Sequence, residues 1–325
     1  MKLKIYFPTR DECSFHHEGN LYKKIKRELL FNSTQCEETL LPEVADAFII
    51  QEESSFKEWR YIKKIKENNI IGPNLHKTYT INNADAAAGL FKGIYTSLAK
   101  NRFNPNIHGA IPFDVQNVKV IEFITKDRQE PRFSASWRGN ITSNSLRSKI
   151  FTLHKKNTDF YLEESDRWFD YKEDEKDRYV DIMRSSLFSL CPAGWAPATI
   201  RLYESMALGI SPIIIADKFV LPIGPDWSSI ALVIKESDIN KIPEIVTKNL
   251  DRAVQMGSNA QAAWRKYFSN KTLPQYCANL LLDIITKRIG ADTIGSEYRR
   301  WNSWSLWISN DWTIAQRLIN RVRRL

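Results

Sequence analysis

The sequence predicts an α/β protein made of two parallel, helix-covered sheets, and three observations carry that prediction. Short apolar runs such as Leu3–Phe7 and Ala47–Ile50 each end in a polar, titratable loop. Charged amphipathic segments separate these runs. The same strand-then-helix rhythm resumes after a charged, Pro-containing stretch over Lys126–Arg132. Alternation of this kind is the mark of a parallel sheet flanked by helices.

In the first half, Leu3–Phe7 reads as a strand stopped by Pro8, and the loop Thr9–Asn20 collects Arg10, Asp11, Glu12, His16, His17 and Glu18. Leu21–Leu30 is a basic amphipathic helix. Ala47–Ile50 is a strand followed by Gln51, Glu52 and Glu53. Lys57–Asn68 is expected as a helix with Trp59, Ile62 and Ile65 on one face. Thr78–Ile81 reads as a strand, Ala86–Lys100 as a helix and Val118–Thr125 as a strand.

In the second half, strands are expected at Phe133–Trp137, Asp159–Leu162, Leu187–Cys191, Pro212–Ala216 and Ala231–Ile234. Helices are expected at Ser145–His154, Asp174–Ser185, Thr199–Leu208, Asp238–Gln255, Asn259–Phe268 and Leu273–Ile289. No short internal repeat is present. The organisation is read as one Rossmann-like domain over residues 1–127, a second over 128–290, and a Trp- and Arg-rich helical tail over 291–325, with the two sheets facing each other across a cleft.

Composition narrows the function classes. The chain has 325 residues, of which 43% are hydrophobic and 26% charged, as in an ordinary globular protein. The net charge of +9 favours anionic partners: nucleic acid, an acidic membrane surface or phosphorylated substrates. Cysteines at 13, 36, 191 and 277 show neither metal-ligand spacing nor a disulfide framework, which suits a reducing compartment. The opening MKLKIYFPTR lacks the apolar core of a signal peptide. No run approaches the roughly 20 apolar residues of a membrane span. A cytoplasmic location is expected, with room for peripheral contact at the inner membrane face.

The segment Leu187–Asp217 carries the clearest chemistry. The strand ends at Pro192, and the loop Ala193-Gly194-Trp195-Ala196-Pro197-Ala198 follows. Thr199 is placed to cap the next helix, and Gly194 to let backbone approach a ligand closely. A helix N-terminus after such a loop, at a strand's carboxyl end, is an anion site. Arg201 in the first turn can add a bidentate contact to a phosphate. Glu204 lies on the same face, where it can accept from sugar hydroxyls, and Asp217 ends the next strand. On spacing alone, the Arg201/Glu204 pair fits a surface ion pair as well.

The run Phe188, Leu190-Cys191-Pro192, Gly194, Arg201, Glu204, Gly209, Pro212 through Ile215, Asp217, Leu221-Pro222, Asp226-Trp227 and Glu236 through Ile239 resembles the exostosin family of glycosyltransferases. The resemblance covers roughly residues 130–245, with Trp137-Arg138-Gly139 and Arg147 resembling the opening of that family's nucleotide domain. It implies a two-Rossmann GT-B glycosyltransferase that takes a nucleotide-sugar, typically a UDP-sugar, inverts the anomeric centre and needs no metal or other cofactor. Arg201 would hold the diphosphate and Glu204 the ribose or sugar hydroxyls. Gly194 and Thr199 would line the phosphate loop, with Arg138, Gly139, Arg147 and Asp217 around it. Thr199-Ile200 stands where the family commonly has Ser-Pro, and Ile210-Ser211 where it has a Cys-Val-like pair, which leaves the donor's identity open. The acceptor, a glycan or lipid-linked glycan, would enter from the N-terminal domain.

An inverting transfer needs a base. Asp11, His16, His17 and Glu18 form the richest group of candidates, with Glu52 second and Asp85 and His108 further off. The tail repeats Trp301, Trp304, Ile308, Trp312, Ala315, Ile319 and Val322 at helical spacing, flanked by Arg299, Arg300, Arg317, Arg321, Arg323 and Arg324. That pattern fits an anionic membrane interface and fits equally a terminal helix packed on the N-terminal domain. Two rivals remain: a GDP-dependent fucosyltransferase-like enzyme, and a non-enzymatic nucleic-acid-binding protein. Against the second, the basic residues are scattered among 38 acidic ones.

Overall fold

Strands that are apolar on both faces over most of their length, such as Ala47–Gln51 and Ser211–Ile215, belong in sheets covered on both faces, which is the parallel-sheet situation. In the computed structural model both are buried at every position, and among the described residues every pairing between strands of a sheet is parallel. The structure describes residues 2–52, 59–85, 87–115, 117–126, 128–165, 172–303 and 306. The chain forms two compact units, one of residues 1–111 with 274–325 and the other of residues 112–273.

Unit 1 contains β1 (Leu3–Tyr6), α1 (Asn20–Arg27), β2 (Cys36–Glu38), β3 (Ala47–Gln51), α2 (Trp59–Lys66), β4 (Thr78–Asn82), β5 (Lys92–Tyr95) and β6 (His108–Ala110). Its sheet runs β2-β1-β3-β4-β5-β6. The chain first grows to one side of β1 and then to the other, so the order reverses between β1 and β3. Ile62 and Ile65 of α2 enter a core with Phe48, Ile50, Leu75 and Phe91.

Unit 2 contains α3 (Val118–Phe123), β7 (Phe133–Gly139), α4 (Ser145–His154), β8 (Phe160–Glu164), α5 (Glu173–Arg184), β9 (Ser186–Pro192), α6 (Ile200–Ala207), β10 (Ser211–Ile215), α7 (Trp227–Ile230), β11 (Leu232–Val233), α8 (Ile242–Thr247) and α9 (Ala253–Ala263). Its sheet runs β11-β10-β9-β7-β8, with the reversal between β7 and β9. Trp137, Phe188, Leu190, Ile213 and Ile215 anchor the core. The chain then returns to unit 1 through α10 (Leu273–Arg288) and α11 (Ile294–Trp301).

Both units are thus Rossmann-like α/β, as the strand–helix rhythm indicates, but several elements differ from expectation. The segment expected as a helix over Ala86–Lys100 is not one in its described residues, 87–100. It holds β5, with Gly89 and Gly93 at φ +74° and +140°, values that no right-handed helix contains. A Cβ on Gly93 would lie 2.0 Å from the Thr80 carbonyl oxygen, so the glycine lets β5 close on β4. Val118–Thr125 is not a strand. Asn117 caps α3 there, its side chain accepting from the Lys119 amide at 3.0 Å, and β-branched composition alone was misleading. The edge strands β2 and β6 went unread because three residues are too few to show alternation. Asp238–Gln255 is broken into a 3-10 turn, α8 beginning near Pro243, and α9.

The units divide at 111/112 and 273/274, where the sequence placed boundaries at 127/128 and 290/291. The physical reason is packing. Helix α3 lies against α5 and α6. Helix α10 lies against β6, where a Cβ on Gly109 would meet Leu280 at 2.7 Å and Tyr276 Oη donates to the Ala110 carbonyl at 3.5 Å.

Of the terminal segment, Trp301 is fully buried in unit 1, edge-on to Phe91 with ring centroids 5.1 Å apart, and its Nε1 donates to Glu297 at 2.9 Å. Thr293 caps α11 in a reciprocal capping box with Ser296. Beneath it, buried Lys92 pairs with Asp292 at 2.9 Å. At Trp301 the packing alternative is therefore realised. Trp304, Ile308, Trp312, Ala315, Ile319 and Val322, with Arg317, Arg321, Arg323 and Arg324, lie outside the described residues. Among the described residues no helix is long and apolar enough to cross a membrane.

Trp301→Ala should destabilise unit 1 by about 3–5 kcal/mol, the usual cost of truncating a buried Trp. Urea unfolding followed by far-UV circular dichroism reads this directly, and an unchanged midpoint would mean that α11 does not close the unit 1 core.

Candidate functional site

Parallel strands bring all their carboxyl ends to one edge of a sheet, and the crevice for a ligand opens where the strand order reverses. In unit 2 that edge carries Gly139 after β7, the Gly194 loop after β9 and Asp217 after β10, and the reversal falls between β7 and β9.

The indole of Trp137 organises this edge. The Arg147 guanidinium of α4 lies 6.0 Å from its ring centroid and that of Arg201, from α6, lies 5.8 Å away. Arg201 also lies 4.9 Å from the Tyr179 ring and donates to the Arg138 carbonyl. A Cβ on Gly139 would come within 3.2 Å of Arg201 Nη2, so glycine there makes room for this reach. Arg147 donates to the Ala193 carbonyl at 3.0 Å, to Ser143 Oγ at 3.0 Å and to the Pro192 carbonyl at 3.4 Å. At Gly194, where the sequence points to close backbone approach by a ligand, a Cβ would lie 2.6 Å from Arg147 Nη2. The glycine seats an arginine under the loop. Asn144, the N-cap of α4, ties the same loop down by donating to the Gly194 carbonyl at 2.8 Å.

Thr199 occupies the N-cap position of α6 with extended backbone, but its side chain makes no capping hydrogen bond, contrary to expectation. The first-turn amides of α6 are thus left without a side-chain cap beside Arg201.

Other sequence-selected residues turn out to be engaged within unit 2. Arg138 is buried, donating from Nε to Glu163 at 3.1 Å and from Nη2 to Glu175. Its neighbour Glu163 is held below the usual carboxylate range, its hydrogen bonds from Tyr161, Arg138 and Arg178 outweighing its desolvation. Glu204 is buried and accepts from Tyr179 Oη at 2.5 Å. Burial raises its pKa, while hydrogen bonds from Tyr179 and Asn117 and the Arg201 charge pull it back. Asp217 accepts from the Glu236 amide at 3.1 Å and returns its own amide to Glu236 at 3.0 Å, tying β10 to the turn after β11. Sequence reasoning missed the parts played by Tyr179, Asn117 and Asn144. Only Asn144 left a signal, an Asn directly before a helical run.

Unit 1 repeats the arrangement with different chemistry. Its reversal falls between β1 and β3, and the loop after β1 meets the end of β3 through a backbone bridge between His16 and Glu52. Glu52 is completely buried, with Tyr61 Oη donating at 3.3 Å and Asn82 Nδ2 at 3.4 Å. Desolvation lifts its pKa from 4.5 to about 7, against the pull of these two donors. His16 is buried as well, and its Nδ1 accepts from the Gln51 amide at 2.9 Å. That bond places the neutral ring's proton on Nε2, 3.9 Å from Glu18 Oε1 and without a hydrogen-bond partner. Burial lowers the His16 pKa. Asp11 is exposed, and His17 is half-buried with its amide donating to the Gln51 carbonyl at 2.9 Å. Burial raises the pKa of Asp85 and lowers that of His108 to about 3.

The Exostosin GT47 domain family model matches residues 124–249. A probable glucuronosyltransferase of Oryza sativa subsp. japonica is 41% identical over 81 residues, covering 24% of this chain and 20% of that protein. The probable beta-1,4-xylosyltransferase IRX10 of Arabidopsis thaliana is 38% identical over 81 residues, covering 24% and 20%. The probable glucuronoxylan glucuronosyltransferase IRX7 of Arabidopsis thaliana is 36% identical over 110 residues, covering 33% and 22%. This chain therefore spans about a fifth of the length of the curated relatives it matches. Among solved structures, TarM aligns with TM-score 0.42 and 11% identity over 82% of this chain and 59% of that one. A glycosyltransferase from Rickettsia africae ESF-5 aligns with TM-score 0.39 and 10% identity over 87% and 99%.

Glu52 makes stability depend on pH with a definite sign. Its folded pKa of about 7 exceeds the ordinary 4.5, so the folded state holds the proton more tightly. Its contribution is full below pH 4.5, declines as pH rises and is lost above about 7. Glu52→Gln should remove this dependence and stabilise the protein above pH 7 relative to the parent, by on the order of 3 kcal/mol at 1.36 kcal/mol per pKa unit. Parallel urea titrations at the two ends of this window test it; a constant gap between parent and variant would refute the assignment.

Proposed function

We propose that this chain, whose residues 124–249 form an exostosin GT47 domain, is a glycosyltransferase that takes a UDP-sugar at the carboxyl edge of the unit 2 sheet and transfers the sugar to a glycan acceptor with inversion. One observation carries the reading. Arg147 and Arg201 converge on Trp137 beside the α6 N-terminus, at the strand-order reversal and inside the family-matched stretch. Two guanidinium groups and a helix N-terminus supply the positive potential that a leaving diphosphate requires, so the reading calls for no metal ion. The names of the relatives, glucuronosyl- and xylosyltransferases, support sugar transfer, and that of the probable glucuronoxylan glucuronosyltransferase IRX7 supports a polysaccharide acceptor.

In this reading an acceptor hydroxyl oxygen attacks the anomeric carbon, and the bond from that carbon to the diphosphate oxygen breaks. The hydroxyl proton passes to a base, and UDP leaves. Of the candidates for that base, Glu52 at the carboxyl end of β3 has a pKa raised to about 7 by burial, which suits proton transfer near neutrality, and its carboxyl is held by Tyr61 and Asn82 and closed to solvent in this structure. His16 serves less well, since its Nδ1 lone pair is already used by the Gln51 amide and the ring is buried. Glu204 acts from beneath the site, holding Tyr179 and Arg201 in place. Arg138 likewise acts by bracing β7 against α5 through Glu175.

A thermal-shift panel of UDP, GDP and ADP should show stabilisation by UDP, about 2.7 kcal/mol at a concentration 100 times its Kd. Arg201→Ala should abolish that response while leaving the far-UV spectrum unchanged. A GDP-specific response would favour the fucosyltransferase-like alternative, and UDP stabilisation that survives Arg201→Ala would overturn the placement of the diphosphate.

A further inference from the structure

Unit 1 contains a groove that the transfer site does not use. It encloses about 610 Å³ between the segment Asn32–Gln35 and the outer face of α10. On α10 the lining recurs at helical spacing through Gln275, Asn279, Asp283 and Thr286, while Cys277, Leu281 and Ile285 point into the core.

The lining has a distinct chemistry. Four amide side chains, Asn32, Gln35, Gln275 and Asn279, line it with the hydroxyls of Thr34 and Thr286; the Asn32 amide donates to Glu28 at 2.6 Å and the Thr286 hydroxyl to the Leu282 carbonyl. The two ionised residues, Asp283 and Lys287, neutralise each other at 2.6 Å. Gln275 Nε2 donates to Asn279 Oδ1 at 2.7 Å, which leaves a carbonyl acceptor on Gln275 and an amide donor on Asn279 side by side. Such a pair matches two adjacent hydroxyls on one sugar ring. A phosphate or carboxylate finds no net positive charge in this lining, and an apolar ligand finds only Leu282.

The groove also sits at the end of the sheet remote from the base. Gln35 accepts from the Leu3 amide at 2.7 Å, and Cys36 pairs with Leu3, so this is the amino end of β1 and β2. His16 and Glu52 follow the carboxyl ends of β1 and β3. We infer that this groove is a second carbohydrate-binding site, which holds a neutral stretch of an oligosaccharide away from the point of transfer. The choice of a glycan rests on the glycosyltransferase reading above.

The test uses the full chain and four probes: xylohexaose and cellohexaose as neutral oligosaccharides, hexagalacturonic acid as an acidic one of equal length, and UDP. Binding is measured by saturation-transfer NMR and calorimetry in the parent, in the double variant Gln275→Ala/Asn279→Ala, and in Asn279→Trp, which fills the groove. At least one neutral hexasaccharide should bind the parent and weaken fivefold or more in both variants. Hexagalacturonic acid should not bind, and melting temperature and UDP response should stay at parental values. Absence of binding by both neutral probes, equal affinity in the variants, or preference for the acidic probe would each overturn the inference. Loss of the UDP response in the parent would instead count against the nucleotide site, and the oligosaccharide result would still decide this one.

Discussion

Each sheet reverses its direction of growth beside one strand, β1 in unit 1 and β7 in unit 2. With all strands parallel, the reversal sends two neighbouring loops to opposite sides and leaves a gap at the carboxyl edge that side chains must fill. What fills it differs. In unit 2 it is two arginines gathered on one indole; in unit 1 it is a carboxyl and an imidazole, both removed from water. The first combination suits an anion, the second a proton.

The unit 2 edge shows how glycine serves arginine. Gly139 and Gly194 lie in separate loops, and a Cβ at either would strike a guanidinium. Trp137 then presents one ring to both cations, and such contacts are worth about 0.5–2 kcal/mol each depending on desolvation. Carbonyls of Arg138, Pro192 and Ala193 fix the guanidinium orientations. The cost of holding two like charges close together is thus met by backbone dipoles, an aromatic face and the nearby Glu204 carboxyl, while Glu163 is committed to Arg138 and Arg178.

Much of this was legible beforehand. Apolar runs such as Pro212–Ala216 marked the buried strands, and Arg147 and Arg201 stood out in the sequence, though not their shared contact with Trp137. What escaped notice had physical causes. Gly89 and Gly93 sit in an Ala-rich stretch whose composition imitates a helix, while their left-handed backbone forbids one. Val118–Phe123 is rich in β-branched residues, yet a single Asn cap and packing against α5 and α6 make it helical. The engagement of Arg138 and Asp217 by Glu163, Glu175 and Glu236 was invisible because those partners stand far away in sequence and meet only once the sheet has formed.

Unit 1 is discontinuous, and this bears on how the protein emerges from the ribosome. Its sheet is complete by residue 110, but the helix that covers β6 and the Trp that seals the Phe91 side come more than 160 residues later. Unit 2 is one unbroken stretch of chain and has all its parts first. During synthesis the earlier-made sheet therefore waits with β6 and Phe91 uncovered while the later-made one can finish. The order of completion is the reverse of the order of translation.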